Sequence, residues 1–241
     1  MARALARGWG RPVLCADPIA ARAAALASET GGEALGGNAE VAARADLVVL
    51  AHKPAQLEEV AAEVRSDARA VASILAVTPL ARLKEAYPDR PVYRFIPSLP
   101  VEVRAGAVVQ AIDVAQDAPT DAEVEGLFAE LGALVKVEDR LVDVAMGLMS
   151  CAPAYMALVA EAQIDAGVRY GIPAAQGAEL VVQTMAGTAE LLRRRGHDTL
   201  ALRREVASPG GVTARGLDAL EQAGLRGAFA DAMDAVMGTA T

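Results

Sequence analysis

The sequence predicts a doubly wound α/β domain followed by an all-helical domain, and three observations indicate this architecture. Over residues 1–140, short apolar runs alternate with amphipathic helical patterns, which is typical of a sheet built from βαβ units. From residue 141 onward, the apolar spacing is helical throughout. The chain has 241 residues, which is enough to enclose one or two hydrophobic cores. We therefore predict domains over residues 1–140 and 141–241.

The predicted strands are apolar runs bounded by polar or turn-forming residues. They cover residues 13–16, 46–51, 71–75, 92–95, 107–114 and 134–137. The helices between them begin at local start signals: Asn38 as a cap, Pro54 at a first helical position, and Thr120 with Glu123 as a capping box. In the second domain, the predicted helices cover residues 141–148, 153–170, 174–195, 199–206, 212–223 and 226–237.

Composition argues against several classes of function. The chain is 54% hydrophobic and carries a net charge of −8, so counterion-driven binding to nucleic acid is not expected. No stretch approaches the ~20 apolar residues of a membrane span, and the start lacks the apolar core of a signal peptide. Cys15 and Cys151 are too far apart to indicate a disulfide framework or a zinc site, and no metal site is expected. A cytoplasmic location fits this composition best.

Near the C-terminus, a turn rich in glycine leads directly into a helical pattern. Residues 208–211 read Ser-Pro-Gly-Gly, and Thr213 stands in the first turn of the helix that follows. Glycine lets the backbone approach a ligand closely, and the first turn of a helix offers unpaired N–H groups to an anion. The segment therefore predicts an anion site that includes the Thr213 hydroxyl. The alternative interpretation is an ordinary helix start after a tight turn.

This segment, with Leu220-Glu221 and residues 224–226, resembles the signature of the pyrroline-5-carboxylate reductase family. Further matches follow the family's order and approximate spacing, and together they span nearly all of the chain except its very beginning. They are Asn38, residues 52–54, residues 94–100, residues 153–155, Glu161-Ala162, residues 183–185 and Gly187.

The resemblance implies a Rossmann-type nucleotide-binding domain and an all-helical dimerisation domain. It implies an oxidoreductase of proline biosynthesis that moves hydride from NADPH or NADH to the C=N carbon of 1-pyrroline-5-carboxylate, giving L-proline. It also implies a homodimer through the C-terminal domain, and a ring of dimers such as a decamer. Apolar residues on several helix faces, including Leu158 and Leu180, independently favour an obligate dimer.

The beginning of the chain departs from the family. A dinucleotide fold carries a Gly-x-Gly-x-x-Gly turn after its first strand, and this sequence has no such motif. Residues 1–8 look like the helix that follows that turn, so we expect the first strand to be missing between the strands that hold Val13 and Val48. Either Met1 is internal to a longer natural chain, which we favour, or the chain is a degenerate paralogue. As written, we expect it to bind a dinucleotide poorly.

The resemblance and the carboxyl ends of the strands together predict the cofactor-binding residues. Asp17 ends a strand where a carboxylate binds the ribose hydroxyls of NAD and repels the extra phosphate of NADP, although Asp-Pro is also an ordinary turn. His52 replaces a family valine, and Ser98 stands where the family has asparagine. Lys53 is otherwise a solvated side chain, and Asn38 a helix cap. The predicted set is Asp17, Asn38, Ala51, His52, Lys53, Pro54, Leu75, Pro97 and Ser98.

The substrate-binding residues are predicted in two segments. Backbone N–H groups of the glycine turn are expected to hold the substrate carboxylate, while the Thr213 hydroxyl, as the catalytic group, bonds the ring nitrogen. The second segment departs from the family's Ser-Gly-Ser pattern, which leaves two alternatives: a non-catalytic dimeric ligand-binding paralogue, or a reductase for a different imine. The predicted substrate-binding set is Ser208, Gly210, Gly211, Val212, Met149, Ser150 and Cys151.

Overall fold

The first part of the chain forms two sheets covered by helices, and the last part is entirely helical. The structure, a computed structural model, describes residues 1–114, 116 and 118–238. Its strands are β1 (Leu14–Cys15), β2 (Glu33–Ala34), β3 (Val48–Leu50), β4 (Val71–Ser73), β5 (Val92–Pro97), β6 (Gly106–Ile112) and β7 (Gly132–Glu138). Every predicted strand is therefore present with shifted ends, and only the two-residue strand β2 was missed.

The helices also follow the predicted order. They are α1 (Ala2–Trp9), α2 (Ala20–Thr30), α3 (Asn38–Arg44), α4 (Leu57–Val64), α5 (Leu80–Ala86), α6 (Asp121–Ala129), α7 (Val142–Met149), α8 (Ala152–Arg169), α9 (Ala174–Arg194), α10 (Thr199–Val206), α11 (Val212–Gln222) and α12 (Leu225–Met237). Short 3₁₀ turns at Pro54–Gln56, Leu99–Val103 and Asp139–Leu141 complete the described elements.

The chain divides into two compact units, Met1–Pro153 and Ala154–Thr241. Helix α7, which was predicted to open the second domain, packs against β5 and β6 of the first unit. The predicted domain boundary between residues 140 and 141 stays a prediction.

The strand order of the first unit confirms the doubly wound architecture. β1 pairs in parallel with β2, and a second sheet has the order β3-β4-β5-β6-β7. Within that sheet only the β5–β6 pair is antiparallel. Among the described residues, β1 bonds only to β2 and β3 only to β4, so each has one edge without a strand partner.

Alternate residues of the larger sheet point into two different helical layers. Val71 of β4 belongs to a cluster with Leu57, Val64 and Leu83, on the side covered by α4 and α5. Ala72, the next residue, belongs to the cluster on the opposite side. This alternation is the period of a β-strand, and burial on both faces explains why the strands read as continuous apolar runs.

Helix α1 packs on the second layer through the few aromatic residues of the chain. Trp9 meets Phe128 edge to face at 5.6 Å between ring centroids, and its Nε1 donates to the carbonyl oxygen of Leu127 at 2.8 Å. Phe128 stacks on Phe95 of β5. A Cβ at Gly8 would lie 2.1 Å from the Val101 carbonyl oxygen, so only glycine permits this close approach.

One predicted cap is wrong, and another has the predicted position without the predicted capping bonds. Gly37, not Asn38, is the N-cap of α3, and the Asn38 side chain donates to Glu63 Oε2 at 2.8 Å. Thr120 is the N-cap of α6 but makes no capping bond, because its Oγ1 pairs with the Tyr93 hydroxyl at 2.8 Å. Burial raises the pKa of Tyr93 to about 12, so this hydroxyl stays protonated and can donate to Asp121. In both cases a distant partner replaces the local one.

The helical unit leaves most of its apolar side chains uncovered. Among the described residues of α8 to α12, only Gly177 is buried. Leu180 of α9 is 60% exposed, and Leu158 and Val182 are similarly accessible. A helix apolar on several faces needs a further partner surface.

The segment Asp139–Arg169 corrects the expectation that no stretch of the chain is apolar enough to span a membrane. Its most apolar window has a mean hydropathy of 1.6 and is 11% buried, so by length and composition alone it is long and apolar enough to cross a membrane. However, its α7 portion packs against β5 and β6, with Asp143 paired to Arg94 of β5. That portion is therefore a surface helix of the first unit.

The backbone conformation of Val77 is expected to lower the free energy of unfolding. It is 69% exposed in the turn after β4 and adopts a φ of 53°, in the left-handed region that a β-branched residue rarely enters. We expect Val77→Gly to raise the free energy of unfolding by about 1 kcal/mol, since relief of strain outweighs the entropy of glycine. Urea unfolding of Val77→Gly and the control Val77→Ala tests this. A glycine variant less stable than the alanine variant would contradict it.

Candidate functional site

The carboxyl ends of β3 and β4 lie side by side and open onto a cavity. Leu50 pairs with Ser73 in the parallel register, so the segments that follow both strands emerge at the same edge. The cavity has a volume of about 290 Å³. It is lined by Pro54, Ala55, Leu57, Glu58, Val77, Thr78, Pro79 and Arg82. Ligands of open α/β sheets bind at this edge, so the position suits part of a nucleotide.

His52 offers a hydrogen-bond acceptor at this edge. Its Nδ1 lies 2.8 Å from the carbonyl oxygen of Lys53, and because a carbonyl only accepts, Nδ1 carries the proton. Nε2 is then an acceptor, and it is buried without a hydrogen-bond partner among the described residues. Buried polar atoms are normally paired. A hydroxyl or amide N–H of a bound ligand would satisfy it.

Asp17 follows β1, where the sequence predicted a ribose-binding carboxylate. Its Oδ1 accepts from the Ile19 N–H at 2.8 Å, which fixes the turn into α2. Its Oδ2 has no hydrogen-bond partner among the described residues, and the side chain is half-buried. The carboxylate thus serves the turn and still has a free oxygen for a ligand hydroxyl.

The remaining predicted cofactor residues differ in what they can offer. Ala51, Lys53 and Pro54 are exposed after β3, whereas the Leu75 side chain is buried in the core, so Leu75 can contribute only its backbone. The Asn38 amide donates one hydrogen bond, to Glu63.

Ser98 is only 3% exposed, and its Oγ accepts from the Ala107 N–H at 2.9 Å. This serine hydroxyl therefore helps to join β5 to β6, which the comparison with the family's asparagine did not anticipate.

The ends of β5 and α7 meet within the first unit. Ser150 Oγ donates to the Pro97 carbonyl oxygen at 3.4 Å, and Met149 packs against the cluster around Ile96 and Val109. Cys151 is a free, half-buried thiol. The structure thus places Ser150, predicted for the substrate, next to Pro97, predicted for the cofactor.

Sequence reasoning missed the role of Arg94, which is 1% exposed in β5. Its guanidinium lies 2.7 Å from Asp139 Oδ1 and 2.7 Å from Asp143 Oδ1. The sequence did contain a signal for this role, because Arg94 is a charged residue inside an otherwise apolar strand. Arginine is almost never buried without partners, so its position indicated acidic partners elsewhere in the chain.

The glycine turn of the second unit has the predicted form, with one correction. Gly210 has a φ of 70°, and Gly211 is the N-cap of α11. However, the Gly211 N–H donates to the Ser208 carbonyl oxygen at 3.0 Å, so it is not available to an anion. The N–H groups of Val212 and Thr213 lie in the first turn of the helix, where no intrahelical acceptor exists.

The side chains of this helix start are also available to a ligand. Thr213 is half-buried, and its hydroxyl makes no hydrogen bond among the described residues. Arg215 donates from Nη1 to the Gly210 carbonyl oxygen at 3.0 Å, which places a positive charge over the turn. Val212 is 76% exposed. Unpaired N–H groups, a hydroxyl and a cation at one helix start can bind a small carboxylate.

Across the part of the chain that the structure describes, no group of three or more His, Cys, Asp or Glu side chains could hold a metal ion.

Two family models match the chain. Residues 139–241 match the model described as pyrroline-5-carboxylate reductase dimerisation, and residues 1–78 match NADP oxidoreductase coenzyme F420-dependent. Over 200 residues the chain is 35% identical to the pyrroline-5-carboxylate reductase of Synechocystis sp., a match that covers 82% of this chain and 75% of that protein.

Solved structures of pyrroline-5-carboxylate reductases share the fold of this chain. The fold is similar to 1-pyrroline-5-carboxylate reductase from Streptococcus pyogenes, with a TM-score of 0.89, 25% identity and coverage of 100% of this chain and 94% of that one. The Plasmodium falciparum pyrroline carboxylate reductase with NADP bound has a TM-score of 0.86 at 24% identity, covering 98% of this chain and 92% of that one.

Proposed function

Because the chain belongs to the pyrroline-5-carboxylate reductase family, we propose that it reduces 1-pyrroline-5-carboxylate to L-proline with NAD(P)H, in proline biosynthesis. The observation that carries this proposal is the helix start at residues 208–213. It combines two backbone N–H groups and the Thr213 hydroxyl, all unpaired among the described residues, with the Arg215 guanidinium beside a left-handed glycine turn. A small ring with one carboxylate and one basic nitrogen matches this set of donors.

The chemistry assigned to the residues is positioning and hydrogen bonding. NAD(P)H, when bound, would supply a hydride to the C=N carbon of the protonated imine, and the π electrons would become the nitrogen lone pair of the product amine. The N–H groups of Val212 and Thr213 hold the carboxylate and so orient the ring. The Thr213 hydroxyl donates a hydrogen bond to the nitrogen as its electron density rises. Binding and orientation at this turn are the contribution of the chain.

The residues at the carboxyl edge fit a nicotinamide dinucleotide. The orphan acceptor at His52 Nε2 and the free Oδ2 of Asp17 both suit hydroxyl donors, which the riboses provide. Lys53, which follows His52 in the chain, is exposed and suits a phosphate. Ala51, Pro54, Pro97 and the backbone of Leu75 would line the site, whereas Asn38 and Ser98 would act through the structure that they stabilise.

Asp17 is expected to favour NADH over NADPH, because its carboxylate would face the 2′-phosphate. The interaction of two such charges near the surface is about 1–2 kcal/mol, so Asp17→Asn should raise the preference for NADPH about tenfold. The ratio of kcat/KM values with the two cofactors measures this. Asp46→Asn, an exposed acid near the amino end of β3, is the matched control. An unchanged ratio in Asp17→Asn would remove this role.

The match to the dimerisation model supports a homodimer formed through residues 139–241. The uncovered apolar side chains of α8 and α9 suit such an interface. Assembly into a ring of dimers, a cytoplasmic location and the absence of nucleic-acid and membrane partners are part of this proposal. Two free cysteines and a net charge of −8 agree with them.

One observation favours a second candidate function. Residues 149–151 read Met-Ser-Cys, which departs from the family's Ser-Gly-Ser pattern. A non-catalytic dimeric paralogue would share this feature. Quantifying L-proline formed from 1-pyrroline-5-carboxylate with saturating NADH or NADPH separates the two, because only the reductase turns over.

A further inference from the structure

We propose, on the basis of the reductase function above, that Arg94, Asp139 and Asp143 form an ionic hub. This hub positions the predicted substrate segment, residues 149–151, at the end of α7. In this arrangement Arg94 is a positioning residue. It acts through the helix that it anchors and does not itself touch the substrate.

The hub joins three elements of the first unit. From β5, the Arg94 guanidinium reaches Asp139 Oδ1 at 2.7 Å and the Asp139 carbonyl oxygen at 3.2 Å. Its other terminal nitrogen reaches Asp143 Oδ1, in the first turn of α7, at 2.7 Å. Asp139 Oδ2 accepts from the N–H of Leu80, the first residue of α5, at 3.1 Å. Arginine suits this role because its planar fork binds several acceptors in a fixed geometry.

Each of these elements carries part of the proposed site. β5 ends at Pro97, α7 ends at Met149, and Ser150 Oγ closes the gap between them through the Pro97 carbonyl oxygen. The start of α5 follows Thr78 and Pro79, which line the cavity beside β3 and β4. One buried cation thus fixes the cofactor cavity wall and the predicted substrate segment to the same strand.

The hub is held together by opposite charges. Arg94 is 1% exposed, while both carboxylates are partly exposed, so a single buried positive charge holds two negative charges. If one carboxylate is removed, the guanidinium still pairs with the other, so β5 stays linked to one of the two acidic residues. The links to α7 and to α5 can therefore be broken separately.

Asp143→Ala tests the link to α7. Alanine favours helix, so α7 is expected to form, but its first turn loses the anchor in β5. We expect KM for 1-pyrroline-5-carboxylate to rise about tenfold, because the substrate segment is misplaced, while KM for the cofactor changes less than about twofold. The control is Tyr93→Phe, which removes a different hydrogen bond from the same strand and should leave both KM values unchanged.

Hydrogen–deuterium exchange gives a readout that does not depend on activity. Peptides covering residues 142–151 should exchange faster in Asp143→Ala than in the wild type or in Tyr93→Phe. Faster exchange together with the selective rise in substrate KM supports the hub. Unchanged exchange, or equal rises in both KM values, overturns it. If the wild-type protein does not reduce 1-pyrroline-5-carboxylate, the proposed function fails, and the exchange result alone decides whether Arg94 anchors α7.

Discussion

Replacing Thr213 with alanine should lower kcat about 100-fold, because loss of one aligned donor at a site of developing charge typically costs this much. The hydroxyl has no hydrogen-bond partner among the described residues and lies in the first turn of α11, beside the free N–H groups. The fold should be unaffected, since alanine is tolerated in a helix. Steady-state kinetics with 1-pyrroline-5-carboxylate and saturating cofactor measures the effect.

Thr213→Ser is the matched control for this prediction. It keeps the hydroxyl at the same position, so its kcat should stay within about threefold of the wild-type value. Thermal unfolding of both variants should match the wild type. An alanine variant that turns over as fast as the serine variant would exclude Thr213 from the reaction.

Leu180→Glu should dissociate the homodimer. Leu180 is 60% exposed in α9, a helix whose only buried described residue is Gly177, so within one subunit its side chain has little cover. In a dimer it would be buried, and a carboxylate there would lose its hydration without gaining a partner. We expect the dissociation constant to rise at least about 100-fold. Sedimentation velocity over a range of protein concentrations measures this.

Ala62→Glu provides the control for Leu180→Glu. It adds the same charge to an exposed face of α4 in the first unit, so the dimer should persist. A Leu180→Glu protein that sediments as the wild type does would show that this face of α9 is not the interface. The apolar surface of α8 and α9 would then need another partner.

The sequence predicted the positions of the elements better than their contacts. Apolar runs located the strands because burial on both faces leaves little room for polar residues, as at Val71 and Ala72. β2 was missed because Glu33-Ala34 has no such run. The cap at Asn38 was wrong, and Thr120 lacks its predicted capping bond, because Glu63 and Tyr93, which are distant in sequence, bind those side chains instead.

In the candidate site, too, local features could be predicted from the sequence and contacts between distant residues could not. The turn at residues 208–213 was predictable because its glycine conformation and helix start are local properties. The hub was not, because Arg94 lies 45 and 49 positions from its two acidic partners. The structural role of Ser98 was hidden for the same reason, since its partner Ala107 belongs to the next strand.

The most direct test is the reaction itself. Purified protein is mixed with 1-pyrroline-5-carboxylate and saturating NADH or NADPH, and both L-proline and oxidised cofactor are quantified. We expect L-proline to form in equal amount to the cofactor oxidised, and both to fall sharply in Thr213→Ala. Wild-type protein that forms no more L-proline than a control without enzyme would contradict the proposed reductase function.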